Sequence, residues 1–356
     1  MFLKTPTDDV ELARHIIQFN PQDKSTHAPW TKITADLLEK PNLIPWPPNL
    51  APQPQPISPT PKSSDPLPRV NCLVVTWTVA EAQALADVLT PDHPSSSWYI
   101  YDRLFGSYKN NIQPGAPALQ ENRLGIYFPT NIGNNTVLCF KSELHLSQDG
   151  PKLPVRDLWM QIIQETQPKL VVTTGTAGGI GSMVKLGDVV IGRKARFHCD
   201  KTFKNAPFNN VEYQNAIAPP TTYLDMSTKN LIPINANHLP PSPRSPTIYY
   251  DQQQLGEQSD IVTTDFFAYD NTTNTYQLQG LGAAVEMGDA VLGLVCQQLG
   301  NQAPNWFAIR NASDPQIDGK LSLAEQKTEA AQIYEKYGYW TTVDSAISTW
   351  AVIAAY

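Results

Sequence analysis

The sequence predicts an α/β protein. Short apolar runs typical of buried strands alternate with segments whose apolar residues recur at helical spacing, as in VNCLVVTW followed by TVAEAQALADVL. The alternation continues in the second half of the chain, where EMGDAVLGLVCQQLG has a helical pattern and NWFAIRNASD has that of a strand. With 356 residues, 41% of them hydrophobic, the chain can bury one substantial core or two small ones.

Charge and cysteine content limit the expected partners and compartment. The net charge of −7 comes from 26 basic and 33 acidic residues without long runs of one sign, which argues against a nucleic-acid polymer as partner. Four widely spaced cysteines fit neither a zinc motif nor a disulfide framework, so we expect reduced, buried thiols at Cys72, Cys139, Cys199 and Cys296. The start of the chain lacks a signal-peptide core and no apolar run approaches bilayer length, so we expect a cytoplasmic protein with no membrane partner.

Two segments precede the main domain. Residues 1–40 are predicted to be an N-terminal helical lead, with a helical apolar stripe over 8–19 and a possible second helix over 34–40. Residues 41–69 hold eleven prolines and are predicted to run as an extended proline-rich tether. The tether could be a strap on the domain surface or a ligand for a proline-reading module, and the sequence leaves both open.

Residues 70–356 are predicted to form the main domain. Strands are predicted over VNCLVVTW, VLCFKSEL, LVVTTG, GDVVIG and NWFAIRNASD, and helices over TVAEAQALADVL, VRDLWMQIIQET, EMGDAVLGLVCQQLG, LAEQKTEAAQIYEKYG and TTVDSAISTWAVIAAY. Residues 201–260 are rich in Asn, Pro and Tyr, and we predict a long excursion from the sheet there.

The glycine-rich segment VVTTGTAGGIGSMVKLGDVVIG, residues 171–192, predicts a backbone brought close to another group. It is not a P-loop, because Gly181 is followed by Ser182 and Met183 instead of by Lys and Ser or Thr. Its glycine spacing also differs from that of a dinucleotide-binding fingerprint. We therefore predict a strand, a turn of small residues and a second strand.

Acidic residues occur at the ends of predicted strands, where open α/β sheets bind their ligands. Glu81 lies in the T-x-x-E pattern of a helix capping box, so capping is the alternative to a chemical role. Asp314 follows the strand AIRNAS, where an Asx-turn or a helix cap is the alternative. Glu286 and Asp289 stand at the start of a predicted helix and could complement its dipole. The residues alone leave these alternatives open.

Five ordered motifs resemble the nucleoside phosphorylase/nucleosidase superfamily, most closely its methylthioadenosine/S-adenosylhomocysteine nucleosidase branch. They are VVTTGTAGGI with LGDVVIG, ARFH, IVTTDFF, AAVEMGDAV and AIRNASD, within a match from roughly residue 70 to residue 340. The resemblance implies a purine nucleoside phosphorylase-like fold, a three-layer α/β/α sandwich with a twisted mixed central sheet. It also implies a homodimer that hydrolyses the N-glycosidic bond of adenosine or a 5′-substituted adenosine without cofactor or metal ion.

The resemblance assigns roles to individual residues. Asp314 matches the acid that protonates or hydrogen-bonds N7 of the leaving base, and Glu81 matches the carboxylate that accepts a proton from water. The residues implied to bind the nucleoside are Ala177, Gly178 and Gly179 at base and ribose, Phe267 on the base, Met287 at the sugar, and Glu286, Asp289, Arg310 and Ser313 around them.

One position departs from the superfamily pattern. Relatives carry a second glutamate after Val-Glu-Met that holds the ribose 2′- and 3′-hydroxyls, and this chain has Gly288 there. Asp289 could substitute for it only if the helix rotates or shifts, and Glu286 could reach from a strand-like position before it. This departure motivates a second hypothesis, in which the chain is a non-catalytic relative that serves in purine binding, scaffolding or storage.

A third hypothesis is a purine nucleoside phosphorylase. The resemblance places a phosphate-binding arginine of the hexameric phosphorylases just before the glycine turn, and this chain has Thr173 and Thr174 there. Water is therefore the expected nucleophile. Arg310 lies near the predicted site in sequence and leaves phosphate binding open.

Overall fold

A computed structural model of the chain describes residues 8–27, 39–240, 245–250 and 260–356. Within these residues thirteen strands form one mixed sheet. The strands are β1 Gln53–Pro54, β2 Cys72–Thr76, β3 Tyr99–Tyr101, β4 Gly125–Ile132, β5 Asn135–Ser142, β6 Leu170–Gly179, β7 Val189–Gly192, β8 Lys194–Phe197, β9 Glu212–Gln214, β10 Ile248–Tyr249, β11 Ile261–Thr263, β12 Ala284–Glu286 and β13 Asn305–Asp314. The helices are α1 Asp9–Gln18, α2 Val79–Leu89, α3 Phe105–Tyr108, α4 Pro117–Glu121, α5 Pro154–Thr166, α6 Leu224–Met226, α7 Asp289–Leu299 and α8 Leu323–Ala355.

The sheet lies between two helical layers. In β2, Leu73 and Val75 belong to an apolar cluster that includes α5 and α7, whereas Cys72 and Val74 belong to a second cluster that includes α2 and α8. Neighbouring residues of a strand point to opposite faces of the sheet, so each cluster fills one side. The predicted three-layer α/β/α sandwich with a mixed central sheet is confirmed.

Parallel strands at the centre bring three chain segments to one edge of the sheet. β5, β2, β6 and β13 lie side by side and run in the same direction. Their carboxyl ends include Thr76 of β2, Gly179 of β6 and Asp314 of β13. The β13–β6 register shifts between Ala312 and Asp314, a bulge of the kind that redirects side chains next to functional sites.

The N-terminal part packs on the sandwich. The predicted first helix is confirmed as α1, where Asp8 accepts a hydrogen bond from the Val10 amide at 2.9 Å and caps the helix. The second helix predicted at 34–40 falls mainly on residues outside the described ranges. Downstream, β1 pairs antiparallel with β4, and Trp350 Nε1 donates to the Leu50 carbonyl at 2.7 Å. The division into lead, tether and main domain stays a prediction.

Three details differ from the predicted elements. The two C-terminal helices are one continuous helix, α8, in which the bare Cα of Gly338 leaves room for the Tyr334 ring. The helix predicted from Glu286 begins at Asp289, because Glu286 is the last residue of β12. The excursion at 201–260 also returns to the sheet, since β9 pairs with β8 and β10 with β7.

The expected state of the cysteines is confirmed, because all four are free and buried. Within the described ranges, no helix combines the length and the apolar character that a membrane span requires. Over the same ranges, no group of three or more His, Cys, Asp or Glu side chains is arranged to hold a metal ion.

Candidate active site

One cavity lies at the carboxyl ends of the central strands and collects most of the predicted site residues. Those that line it are Glu81, Ala177, Gly178, Phe267, Glu286, Met287, Arg310, Ser313 and Asp314. Gly179 and Asp289 do not line it. The two proposed catalytic carboxylates therefore share one cavity with seven of the residues predicted to bind substrate.

Glu81 is held by the β2–α2 turn. The predicted capping box is present, with the Glu81 amide donating to Thr78 Oγ1 at 3.1 Å and the Thr78 amide donating to Glu81 Oε2 at 2.9 Å. The same oxygen accepts from Trp77 N at 3.0 Å and from Thr76 Oγ1 at 2.7 Å. The same Glu81 side chain therefore caps α2 and lines the cavity.

The other Glu81 oxygen reaches the glycine-rich strand β6. Oε1 accepts from the amide and from the hydroxyl of Thr176, both at 2.7 Å. This approach requires a glycine at position 175, because a Cβ there would lie 2.4 Å from the Glu81 carboxyl carbon. Gly175 also has a φ of +144°, which side chains rarely adopt. The close backbone approach predicted for this segment is thus made, at Gly175, to a carboxylate.

The surroundings of Glu81 keep it ionised. Burial opposes ionisation, but the nearby Arg310 charge and the hydrogen bonds from Thr78 and Thr176 outweigh burial, so the Glu81 pKa lies below its ordinary value. A carboxylate with these partners is an acceptor of hydrogen bonds and a stabiliser of positive charge at neutral pH.

Asp314 ends β13 just after the bulge and has the opposite electrostatic character. Its Oδ1 accepts from Ser313 Oγ at 2.9 Å. Its Oδ2 lies beside Gly178, where a Cβ would be 3.0 Å away, so a glycine is needed for this approach as well. Burial raises the Asp314 pKa to about 7, with the Ser313 hydrogen bond acting the other way. Asp314 can therefore hold a proton near neutral pH.

Arg310 is a buried cation that lies beside the carboxylates of Asp289 and Glu286. Arg310 Nε donates to Asp289 Oδ2 at 2.8 Å, and Arg310 Nη2 lies 3.5 Å from Glu286 Oε2. Burial and the Asp289 charge raise the Glu286 pKa to about 8, whereas Arg310 acts to lower it. Asp289 is thus engaged by Arg310, and this geometry does not support the ribose contact considered for it.

Several lining residues were missed by sequence reasoning. They are Ile16, Ile17, Trp77, Thr78, His145, Thr176, Thr264, Ala268, Val285 and Tyr334. Trp77, Thr78 and Thr176 lie beside predicted motifs, so their position at strand ends was a usable signal. Ile16, Ile17 and His145 reach the cavity through long-range packing that no local pattern encodes.

His145 is a neutral member of the cavity wall. Its Nδ1 accepts from the Ser147 amide at 3.3 Å and lies 2.9 Å from Ser147 Oγ. Burial lowers the His145 pKa to about 3, so the ring carries no charge at neutral pH.

Comparisons with known proteins relate the chain to one superfamily. A family model described as the phosphorylase superfamily matches residues 158–337, about half of the chain. A 5′-methylthioadenosine/S-adenosylhomocysteine nucleosidase of Shewanella sp. (strain MR-7) is 28% identical over 160 residues, which is 43% of this chain and 58% of that protein. The chain thus spans little more than half the length of this curated relative.

Solved structures also match. The 5′-methylthioadenosine/S-adenosylhomocysteine nucleosidase from Neisseria meningitidis, in complex with methylthio-immucillin-A, is 16% identical, with 80% of this chain and 99% of that chain covered and a TM-score of 0.46. Futalosine hydrolase of Helicobacter pylori is 13% identical, with 78% and 97% covered and a TM-score of 0.41.

Proposed function

Because this chain belongs to the phosphorylase superfamily, we propose that it hydrolyses the N-glycosidic bond of a purine nucleoside. Asp314 is the acid and Glu81 is the carboxylate that receives the proton of the attacking water. The observation that carries the proposal is the pair of carboxylates on one cavity with pKa values shifted in opposite directions. Such a separation assigns one carboxyl group as proton donor and the other as anion.

The acid step uses the raised pKa of Asp314. As the bond between C1′ and the base breaks, its electron pair stays with the base, and Asp314 supplies a proton to N7. The base then leaves as a neutral molecule, and a positioned acid of this kind contributes roughly 10²–10⁴-fold to the rate. The sugar develops positive charge at C1′, which the ionised Glu81 stabilises.

The water step passes through Thr176. A carboxylate offers about four acceptor positions, and Glu81 already accepts five hydrogen bonds, from Thr76, Trp77, Thr78 and twice from Thr176. Thr176 lines the cavity, and we assign its hydroxyl the role of accepting a hydrogen bond from water while it donates to Glu81. When the water oxygen bonds to C1′, its proton moves to Thr176 as the Thr176 proton moves to Glu81. Exchange with solvent then removes the proton from Glu81 and returns one to Asp314.

The charges around the cavity favour water over phosphate. Among the described residues that line it, Arg310 is the cationic side chain, and its guanidinium is already paired with Asp289. His145 is neutral, and Glu81 adds negative charge. Phosphate would therefore enter without an available cation, which disfavours phosphorolysis.

The proposed substrate class is supported by the similar bacterial protein, which is named for 5′-methylthioadenosine and S-adenosylhomocysteine. We propose an adenosine with an apolar or thioether 5′-substituent, since Ile16 and Ile17 give the cavity an apolar wall. The sequence resemblance implies a homodimer, and light scattering after size-exclusion chromatography measures it.

Chromatography of free bases tests the proposal. The protein is incubated with methylthioadenosine, S-adenosylhomocysteine, adenosine, inosine and guanosine, each with and without phosphate. We expect adenine from the 5′-substituted adenosines at the same rate in both conditions. Release that requires phosphate would establish a phosphorylase, and no release by natively folded protein would establish the non-catalytic relative suggested by Gly288.

A further inference from the structure

The indole of Trp77 occupies the space beside the Cα of Gly288. A Cβ built on Gly288 would lie 3.0 Å from Trp77 Cζ2 and 3.3 Å from Cε2. Together with Cη2 at 3.4 Å, these atoms form the six-membered-ring edge of the indole, so this edge fills the space that a side chain at position 288 would need. A larger residue at position 288 would therefore require Trp77 to shift.

The indole nitrogen of Trp77 is a buried donor without an acceptor. Trp77 is 3% exposed and lines the cavity, and among the described residues no group accepts from its Nε1. Trp159 has a similarly orphaned Nε1 but does not line the cavity. An orphan donor alone is therefore not a sign of a ligand; what distinguishes Trp77 is that its donor belongs to a residue of the cavity wall.

The ring of Trp77 is held in one orientation before any ligand binds. The Arg310 guanidinium lies 4.9 Å from its ring centre, and Trp159 packs edge-on at 6.2 Å. Its own backbone amide donates to Glu81 Oε2. Since Arg310 and Glu81 both line the cavity, the indole is fixed to the same framework as the proposed catalytic carboxylate.

We propose that Trp77 Nε1–H donates a hydrogen bond to a sugar hydroxyl oxygen of the bound nucleoside, at the part of the cavity wall where Trp77 packs on Gly288. This inference rests on the proposed function, because it takes the ligand to be a nucleoside. An indole N–H donates one hydrogen bond and accepts none, so it contacts one hydroxyl oxygen. A carboxylate, by contrast, accepts from two hydroxyls. The chain should therefore depend on one of the 2′- and 3′-hydroxyls and tolerate loss of the other.

The test combines a Trp77→Phe variant with substrates that lack one hydroxyl. Base release is measured for methylthioadenosine and for its 2′-deoxy and 3′-deoxy analogues. Trp77→Phe should lower kcat/KM for methylthioadenosine by roughly 3–10-fold, the range for one neutral hydrogen bond. It should have no such effect on the analogue that lacks the contacted hydroxyl. An equal loss on all three substrates, or no loss on any, would overturn the proposal.

Trp159→Phe is the matched control. It removes an equally buried indole that packs on Trp77 but lies outside the cavity. Any loss of activity that it causes should be the same for the three substrates. A loss that depends on one hydroxyl would show that the effect at Trp77 is not due to its own N–H.

A binding measurement separates this inference from the proposed reaction. The sequence has eight tryptophans, and the indole ¹⁵N–¹H signal that disappears in Trp77→Phe belongs to Trp77. Millimolar methylthioadenosine or adenosine should move that signal downfield, and the deoxy analogue of the contacted position should not. If no base is released but the signal moves, the proposed hydrolysis fails and the Trp77 contact stands. If base is released while the signal stays in place, the contact fails and the hydrolysis stands.

Discussion

Asp314 and Glu81 face the same cavity and are buried to similar degrees, 7% and 2% exposed, yet their pKa values shift in opposite directions. At the end of β13, Asp314 accepts from the Ser313 hydroxyl, and burial raises its pKa to about 7. At the β2–α2 turn, Glu81 is surrounded by donors and lies near Arg310, which lowers its pKa despite burial. The comparison shows that hydrogen-bond donors and neighbouring charge, more than burial, separate an acid from an anion.

Replacing the acid should have the largest effect. Asp314→Asn keeps an oxygen that can accept from Ser313 but removes the acidic proton. We expect kcat for base release to fall by roughly 10²–10⁴-fold with little change in KM. Asp318→Asn, an exposed aspartate four residues later, is the control and should leave kcat unchanged. Full activity of Asp314→Asn would place the acid elsewhere.

Replacing the anion should cost both stability and activity. In Glu81→Gln one carboxyl oxygen becomes an NH₂ group that faces donors from Thr76, Trp77 and Thr78 or from Thr176. Unsatisfied buried donors cost about 1–3 kcal/mol each, so we expect the free energy of unfolding in urea to drop by about 3 kcal/mol. We also expect kcat to fall by roughly 10²-fold.

The second capping box of the chain provides a control for Glu81. Glu325 caps α8 through Ser322 as Glu81 caps α2 through Thr78, but it is exposed and far from the cavity lining. Glu325→Gln should change the free energy of unfolding far less than Glu81→Gln does and leave base release unchanged. If both variants behave alike, Glu81 would be a helix cap without a role in the reaction.

The sequence predicted the two carboxylates better than the wall that encloses them. Strand ends and motif order were enough to bring Asp314, Glu81 and Gly178 to one cavity, because their geometry is set by local elements and by parallel pairing. The partner of Asp289 depends on how α7 and β13 meet, which a local pattern does not encode. Ile16 and Ile17 lie at least sixty residues before Trp77 and reach the cavity through tertiary packing alone.

Replacing a residue of α1 that lines the cavity should affect substrate binding more than the rate of the chemical step. Ile17 lines the cavity, so Ile17→Ala should raise KM for methylthioadenosine about tenfold and leave kcat nearly unchanged, since burying an Ile side chain is worth about 1.5–3 kcal/mol. Leu12→Ala is the control, because Leu12 is buried on the same helix but does not line the cavity. It should reduce stability, measured by urea unfolding, without raising KM. An unchanged KM in Ile17→Ala would remove α1 from the substrate site.

The smallest expected effect is a shift of the pH profile, which tests why the pKa values of Asp314 and Glu81 differ. Because Asp314 must carry its proton to act, kcat/KM should fall as the pH rises through the Asp314 pKa of about 7. The Ser313 hydroxyl donates to the ionised form and so holds this pKa down. Ser313→Ala should therefore raise the Asp314 pKa and move the alkaline limb of the pH profile to higher pH, with a gain of less than about tenfold above pH 8. If the limb moved to lower pH, Ser313 would be stabilising the protonated form of Asp314. The difference in hydrogen-bond donors around Asp314 and Glu81 would then not explain why their pKa values shift in opposite directions.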